Sequence, residues 1–110
     1  MAEQHDRTVI LRDETKGEEQ SILRARMTSD GGLELEGQDF GPSTSMVSDD
    51  GEYEYYWEVP AEHLAALREV LGVPAEGELL DVLVEHSSGP ESRRLESLVS
   101  SSGLGRLSVI

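Results

Sequence analysis

Between Ser21 and Thr28 the chain alternates. Leu23, Ala25 and Met27 fall on one side of an extended backbone, and Arg24 and Arg26 on the other. Asp30-Gly31-Gly32 follows, a turn composition whose glycines accept positive φ without steric cost; beyond it Leu33 and Leu35 alternate with Glu34 and Glu36. The two runs predict a β-hairpin, and its register is constrained. Facing residues share a face of the sheet, so Met27 must oppose Leu33 or Leu35, never Glu34. Either choice requires an odd loop of three or five residues. Either also sets Arg26 opposite Glu34 or Glu36, a pairing that contributes about 0.2–1 kcal/mol.

The stretch Glu52-Tyr53-Glu54-Tyr55-Tyr56-Trp57-Glu58-Val59-Pro60 contains all three tyrosines and the single tryptophan. At period two, Tyr53, Tyr55, Trp57 and Val59 share one face while Glu52, Glu54, Tyr56 and Glu58 share the other. At helical period the same residues scatter around the axis. A strand is therefore predicted, with the odd positions inward, so that the aromatic stripe is core in preference to a ligand cage. Thr8 to Arg12 reads as a short apolar strand and Asp13 to Gln20 as a polar turn region. Gly37 to Gly51, rich in Gly, Pro, Ser and Thr, reads as a long connection that includes Phe40, with room for a short strand at Met46-Val47.

The second half changes period. Pro60 suits a first helical turn, and Leu64, Leu67, Val70 and Leu71 form a stripe that ends at Gly72. Glu78 to His86 has Leu79, Leu80, Leu83 and Val84 for a short helix, although Val82 and Val84 leave a strand open. Ser88-Gly89-Pro90 is a break. Glu91 to Ser102, with Leu95, Leu98 and Val99 on one side, predicts a helix closing at Gly103, and Arg106 to Ile110 is either a last strand or a segment docked on the sheet. Strands followed by helices predict a single α+β domain over 1–110: an antiparallel four- to five-stranded sheet in the N-terminal half, packed on one face by two to three C-terminal helices. Residues 1–6 are expected to be disordered.

Leu35-Glu36-Gly37-Gln38-Asp39-Phe40-Gly41-Pro42, then Glu52 to Pro60, then the leucine-bearing helix to Leu71-Gly72, resemble the order of motifs in a group of small, acidic, uncharacterised actinobacterial proteins. The resemblance covers about half the chain, from Leu33 to Leu83. It implies a bacterial cytoplasmic origin and no activity or site. The last segment departs from the aromatic-rich ending of that group.

Charge changes the picture most. Nine basic and 23 acidic residues give a formal net charge of −14. Such a field repels phosphate backbones, which disfavours DNA or RNA as a partner, and attracts a basic protein, most strongly at low salt. With no cysteine there is no disulfide or zinc–thiolate site. The polar start and the lack of a long apolar run argue against a cleaved signal and a membrane span, and favour the cytoplasm.

Catalytic and metal chemistry find little support. Asp49-Asp50-Gly51-Glu52 resembles a calcium loop at a glance, yet with Gly51 as the sixth position the first ligand falls on Met46 and the bidentate one on Trp57. His5, His63 and His86 lack ligand spacing and read as surface or helix-end residues. No G-x-S-x-G and no phosphate-cradling glycine loop occurs. No catalytic residue, cofactor or metal is expected.

What remains is a surface. Glu34, Glu36, Asp39, Phe40, Glu52, Glu54, Tyr56 and Glu58 are the candidate partner-binding residues: acids around an amphipathic tyrosine suit an arginine-rich partner through charge-assisted hydrogen bonds and cation–π contact. The expected function is a non-catalytic interaction module, in its sharpest form an inhibitor or immunity-type protein whose acids stand in for phosphates. A homo-oligomeric structural protein, pairing through the outer sheet or an edge strand, is the alternative. A small hydrolase using sheet carboxylates is the third.

Overall fold

A computed structural model describes residues 7–41 and 52–109. The chain is α+β. Five strands, β1 (Thr8–Lys16), β2 (Glu19–Met27), β3 (Leu33–Phe40), β4 (Glu52–Val59) and β5 (Arg106–Val109), form one antiparallel sheet in the order β1-β2-β3-β4-β5. Between β4 and β5 the chain makes a 3₁₀ turn (Ala61–His63) and three helices, α1 (Leu64–Leu71), α2 (Leu79–His86) and α3 (Glu91–Ser102). Residues 1–6 and the Met46-Val47 strand lie outside the described residues.

The hairpin register follows the hydrophobic pattern. Met27 pairs with Leu33, Ala25 with Leu35 and Arg26 with Glu34, across a five-residue loop closed by Thr28 N–H donating to the Gly32 carbonyl at 2.8 Å. Leu35 then faces Trp57 and Leu33 faces Val59 on β4, so odd positions of all three strands point to one side. That side is the core. Leu23, Ala25, Leu33, Leu35 and Val59 are buried against Leu67, Leu71, Leu79, Leu80, Leu83, Leu95 and Val99 of the helices, with Trp57 packed on the edge of the cluster. In α2 it is Leu79, Leu80, Val82 and Leu83 that are buried, a helical spacing, and this decides against a strand there. The stops also hold: Gly72 and Gly103 follow α1 and α3 in the left-handed conformation, at φ 72° and 75°.

Several boundaries differ from the sequence expectation, each for a physical reason. Asp13–Gln20 is not a turn region. β1 runs to Lys16 and β2 begins at Glu19, leaving a two-residue turn at Gly17-Glu18. At this end both faces of the hairpin are wet, with Glu14 only half-buried and Lys16 and Glu19 exposed, so no hydrophobic alternation marks the strands. β1 is also bulged: Ile10 pairs with Arg24 but Arg12 with Leu23, so Leu11 and Arg12 are both buried and the alternation of β1 reverses after the bulge. Pro60 precedes the 3₁₀ turn in an extended conformation, and α1 begins only at Leu64.

The expected connection from Gly37 is the largest correction. Gly37, Gln38, Asp39 and Phe40 continue β3, paired to Leu23, Ile22, Ser21 and Gln20 on one side and to Tyr55, Glu54, Tyr53 and Glu52 on the other. Gly37 is there for space: a Cβ at this position would lie 2.1 Å from Cζ of the Tyr55 ring, which covers the bare backbone of the neighbouring strand. Phe40 is consequently a strand residue and not part of a connection.

The linkers are tied down by polar contacts. Arg68 on α1 donates to the carbonyls of Pro74 (2.8 Å), Glu76 (3.1 Å) and Gly77 (2.7 Å), organising the turn into α2. His63 Nδ1 lies 3.1 Å from the Leu104 carbonyl, which fixes the approach to β5 and requires the proton on Nδ1.

The Gly37–Tyr55 contact gives a stability prediction. Gly37→Ala should cost about 1–3 kcal/mol, as overpacking does, read from urea midpoints. The same change in a Tyr55→Ser background should cost clearly less, because the ring it strikes is gone; equal costs in the two backgrounds would refute the packing account.

Candidate functional site

The sheet has one covered face and one open face. Even positions of β2, β3 and β4 point away from the helices, and on the open side the register builds rows across the strands. Arg26, Glu34, Glu58 and Arg106 form one row; Arg24, Glu36, Tyr56 and Ser108 the next; then Ile22, Gln38 and Glu54; then Gln20, Phe40 and Glu52. Glu34, Glu36, Glu52, Glu54, Tyr56, Glu58 and Phe40 thus share one surface. Asp39 does not. Its odd position puts it on the helix side, paired with Tyr53 and Ser21, and it leaves the proposed surface set on geometric grounds.

The acids of this face are partly neutralised. Arg26 Nε donates to Glu34 Oε1 at 2.5 Å, and Arg24 Nη1 donates to Gln38 Oε1 at 2.8 Å and lies 4.0 Å from Glu36 Oε1. Gln38 in turn donates to Glu54 at 2.9 Å and Glu52 at 3.4 Å. Tyr56 is half-buried among them, and its hydroxyl is held above the usual phenol range by desolvation first and then by the charges of Glu36, Glu54 and Glu34, against the opposing pull of Arg26. A neutral phenol ringed by carboxylates offers an aromatic face and a hydroxyl to a cation. Apolar Ile22 and Phe40, both half-buried, and Ile10, 55% exposed, complete the surface.

The covered face hides a second polar feature. Arg12, brought inward by the β1 bulge, has 1% of its side chain exposed. Its Nε donates to Ser21 Oγ (3.0 Å), Nη1 to Ser92 Oγ (3.0 Å), and Nη2 to Glu96 Oε2 (2.9 Å) and the Tyr55 hydroxyl (3.3 Å). Each serine passes the polarity on: Ser21 Oγ donates to Asp39 at 2.6 Å and Ser92 Oγ to the Gly89 carbonyl at 2.6 Å. Glu96 also accepts from Trp57 Nε1 at 3.2 Å. Desolvation opposes the charge on Arg12, but Glu96 outweighs it through charge and hydrogen bonding, so the guanidinium stays protonated. Burial, followed by the charge and hydrogen bonding of Glu96, pushes the Tyr55 hydroxyl far above its usual value. No buried side-chain polar atom among the described residues is left without a hydrogen-bond partner.

This network joins four strands to α3, and nothing in the sequence analysis singled out Arg12, Ser92 or Glu96 for it. The available signal was weak: an arginine inside the apolar run Val9-Ile10-Leu11-Arg12, and Glu96 beside the leucine stripe of α3. With each guanidinium nitrogen engaged internally, the cluster reads as structural and not as a reactive centre.

Other sites offer less. A hollow of about 320 Å³ at the β2–β3 turn is lined by Thr28, Asp30, Gly32, Glu58 and Pro60 among others. Of its two carboxylates, Asp30 is engaged by the turn itself and held below the usual range by the Thr28 hydroxyl and the Gly32 amide, and Glu58 belongs to the open-face row beside Arg106. Among the described residues no three His, Asp or Glu are grouped to hold a metal ion, and no helix is long and apolar enough to cross a membrane. His86 ends α2 and is exposed; His63 ends the 3₁₀ turn; His5 lies outside the described residues.

Compared with models of known families, with curated proteins and with solved structures, the chain matches none. The resemblance of the Leu33–Leu83 region therefore rests on its motifs alone.

Two measurements probe the buried cluster. Glu96→Gln keeps the shape but leaves Arg12 without its countercharge, and should cost about 3 kcal/mol in chemical denaturation; the added cost of Arg12→Met in that background should be small, since the orphaned cation is removed. Tyr55 gives a pH signature. Its folded value is raised, so its contribution is whole below the unfolded value near ~10 and is lost as the pH climbs from there toward the folded value. Native stability should fall above about pH 10 more steeply than that of Tyr55→Phe, by up to ~1.4 kcal/mol per pH unit. Parallel curves for the two proteins would contradict the assignment.

Proposed function

We propose that the chain is a non-catalytic cytoplasmic interaction module that takes an arginine-rich surface of another protein onto the open face of its sheet. The observation that carries this is the convergence of Glu34, Glu36, Glu54 and Glu58 around Tyr56 on a face that none of the described helices covers, with Phe40 and Ile22 alongside. Flat, mixed acidic and aromatic surfaces suit arginine: carboxylates accept its forked donors and an aromatic ring stacks against its plane. Phe40 and Ile22 supply the apolar contact that charge alone does not, and Tyr56 is the expected hot spot. In its sharpest form the module is an inhibitor or immunity-type protein covering a basic, phosphate-binding surface. A nucleic-acid partner is opposed by the −14 charge.

Acids also line the helical half, at Glu62, Glu69, Asp81, Glu85 and Glu91 and in the α1–α2 connection at Glu76, so a test must separate this face from the general field. A short hexa-arginine peptide titrated into labelled protein should shift amide resonances of β3 and β4 selectively, with affinity falling as salt rises. Tyr56→Ala should weaken binding about tenfold, in line with a moderate hot spot. Shifts spread evenly over helical and sheet acids, or an affinity indifferent to Tyr56, would sink the proposal.

A further inference from the structure

The two edges of the sheet are treated differently. β1 is bulged, α2 packs against it, and its Leu11 carbonyl accepts a hydrogen bond from the Gly89 amide at 2.7 Å. Arg7, just before β1, pairs with Glu78 and, at 2.6 Å, with Asp81 of α2. These are devices that keep an edge from recruiting another strand. β5 has none of them. It carries no proline and no bulge, among the described residues pairs with β4 alone, and is exposed along its whole length, with Leu107 45% and Val109 55% open to solvent. Yet it is firmly positioned. His63 holds the Leu104 carbonyl, and Gly105 lies so close to the core that an added Cβ would fall 2.4 Å from Val99.

Charge narrows the choice of occupant. In a chain with 23 acidic residues, none occurs between Ser97 and Val109, and the only charged side chain of β5 is Arg106. On β5 itself a basic partner finds a cation and no acid, Glu58 lying one strand inward beside Arg106. A second copy of this chain, repelled elsewhere by its own acids, finds its least repulsive approach at this edge.

The pattern of β5 is also self-complementary. In an antiparallel pair, facing residues share a face, so a two-fold axis must pass through a residue, either Leu107 or Ser108. An axis at Leu107 leaves Val109 facing Gly105. An axis at Ser108 sets Leu107 opposite Val109 twice over, and on the helix side continues two rows through the pair: Trp57–Leu107 onto Val109–Tyr55 of the second copy, and the reverse. Every exposed apolar side chain of the strand then has an apolar partner.

We propose that β5 pairs with β5 of a second copy, antiparallel about a two-fold axis at Ser108, joining the two sheets into one. The paired strand is short and each copy carries a formal charge of −14, so the association is weak at low salt and strengthens as salt screens the repulsion. This response is opposite in sign to that of the arginine-rich partner, so the two proposals succeed or fail separately.

The chain has no cysteine, so a single introduced thiol reports its own neighbour. Facing β-carbons of an antiparallel pair lie about 4.5–5.5 Å apart, near disulfide reach. Under mild oxidation in 0.5 M salt, Ser108→Cys should be captured as a disulfide dimer at least fivefold faster than either Leu107→Cys or Ser101→Cys, the latter an exposed site on α3. Sedimentation equilibrium of the unmodified protein should show a mass rising from 12.1 kDa toward twice that value with concentration, more so at high salt, and Leu107→Asn should abolish the rise. Equal capture at the three sites, fastest capture at Leu107, or a monomer mass at every salt concentration would each overturn the proposal.

Discussion

A cation with no access to water organises the fold. Arg12 enters the core because a bulge in β1 reverses the direction of its side chains, and an unpaired charge in that position would be intolerable. Its donors are met by Ser21 of β2, Tyr55 of β4, and Ser92 and Glu96 of α3. Each partner must therefore stand where it does. The α2–α3 connection is fixed by the same group of contacts, since Gly89 donates to the Leu11 carbonyl while accepting from Ser92. Hydrophobic burial supplies most of the driving force, but leucines against leucines tolerate sliding. A guanidinium with a set of directed bonds does not, and it sets the seating of α3 on the sheet.

That seating divides the sheet into two surfaces of different character. On one side the helices cover leucines and valines. On the other, no element of the described residues is placed, and rows of glutamate, arginine, tyrosine and isoleucine meet solvent. The period-two pattern of β2, β3 and β4 made this division legible without coordinates, because moving any of these strands by one residue would bury its charged residues and expose its apolar ones. The parity of the hairpin register, the inward odd positions of residues 53–59 and the glycine stops of α1 and α3 were readable for the same reason, each being a local pattern, while the choice of Leu33 over Leu35 opposite Met27 needed the coordinates.

What was not legible depended on partners distant in sequence. Arg12 looks like any basic residue until Glu96, 84 positions later, lies 2.9 Å away. Gly37 looks like the first residue of a loop until the Tyr55 ring occupies the space a side chain would need. Taking it for a loop also hid the register of Asp39 and Phe40, so the acid was counted among the partner-binding residues when it serves the buried network, and the phenylalanine was placed in a connection when it lies in β3. The polar tips of β1 and β2 were missed because their ladder hydrogen bonds leave no trace in side-chain hydropathy. Pattern reveals a face only where one side is dry.

The distribution of acids then becomes informative in itself. If the −14 charge served only solubility, acids would have no reason to crowd β3 and β4 on one face and vanish from Ser97 to Val109. Crowding carboxylates beside one another costs stability, and here the cost is only partly offset by Arg24 and Arg26. A cost retained on one surface and avoided on another is what two different neighbours would produce: a cation-bearing partner on the open face, and a like-charged copy at the β5 edge. Both surfaces are held in shape by the same core, the first by the strand register and the second by Gly105 against Val99.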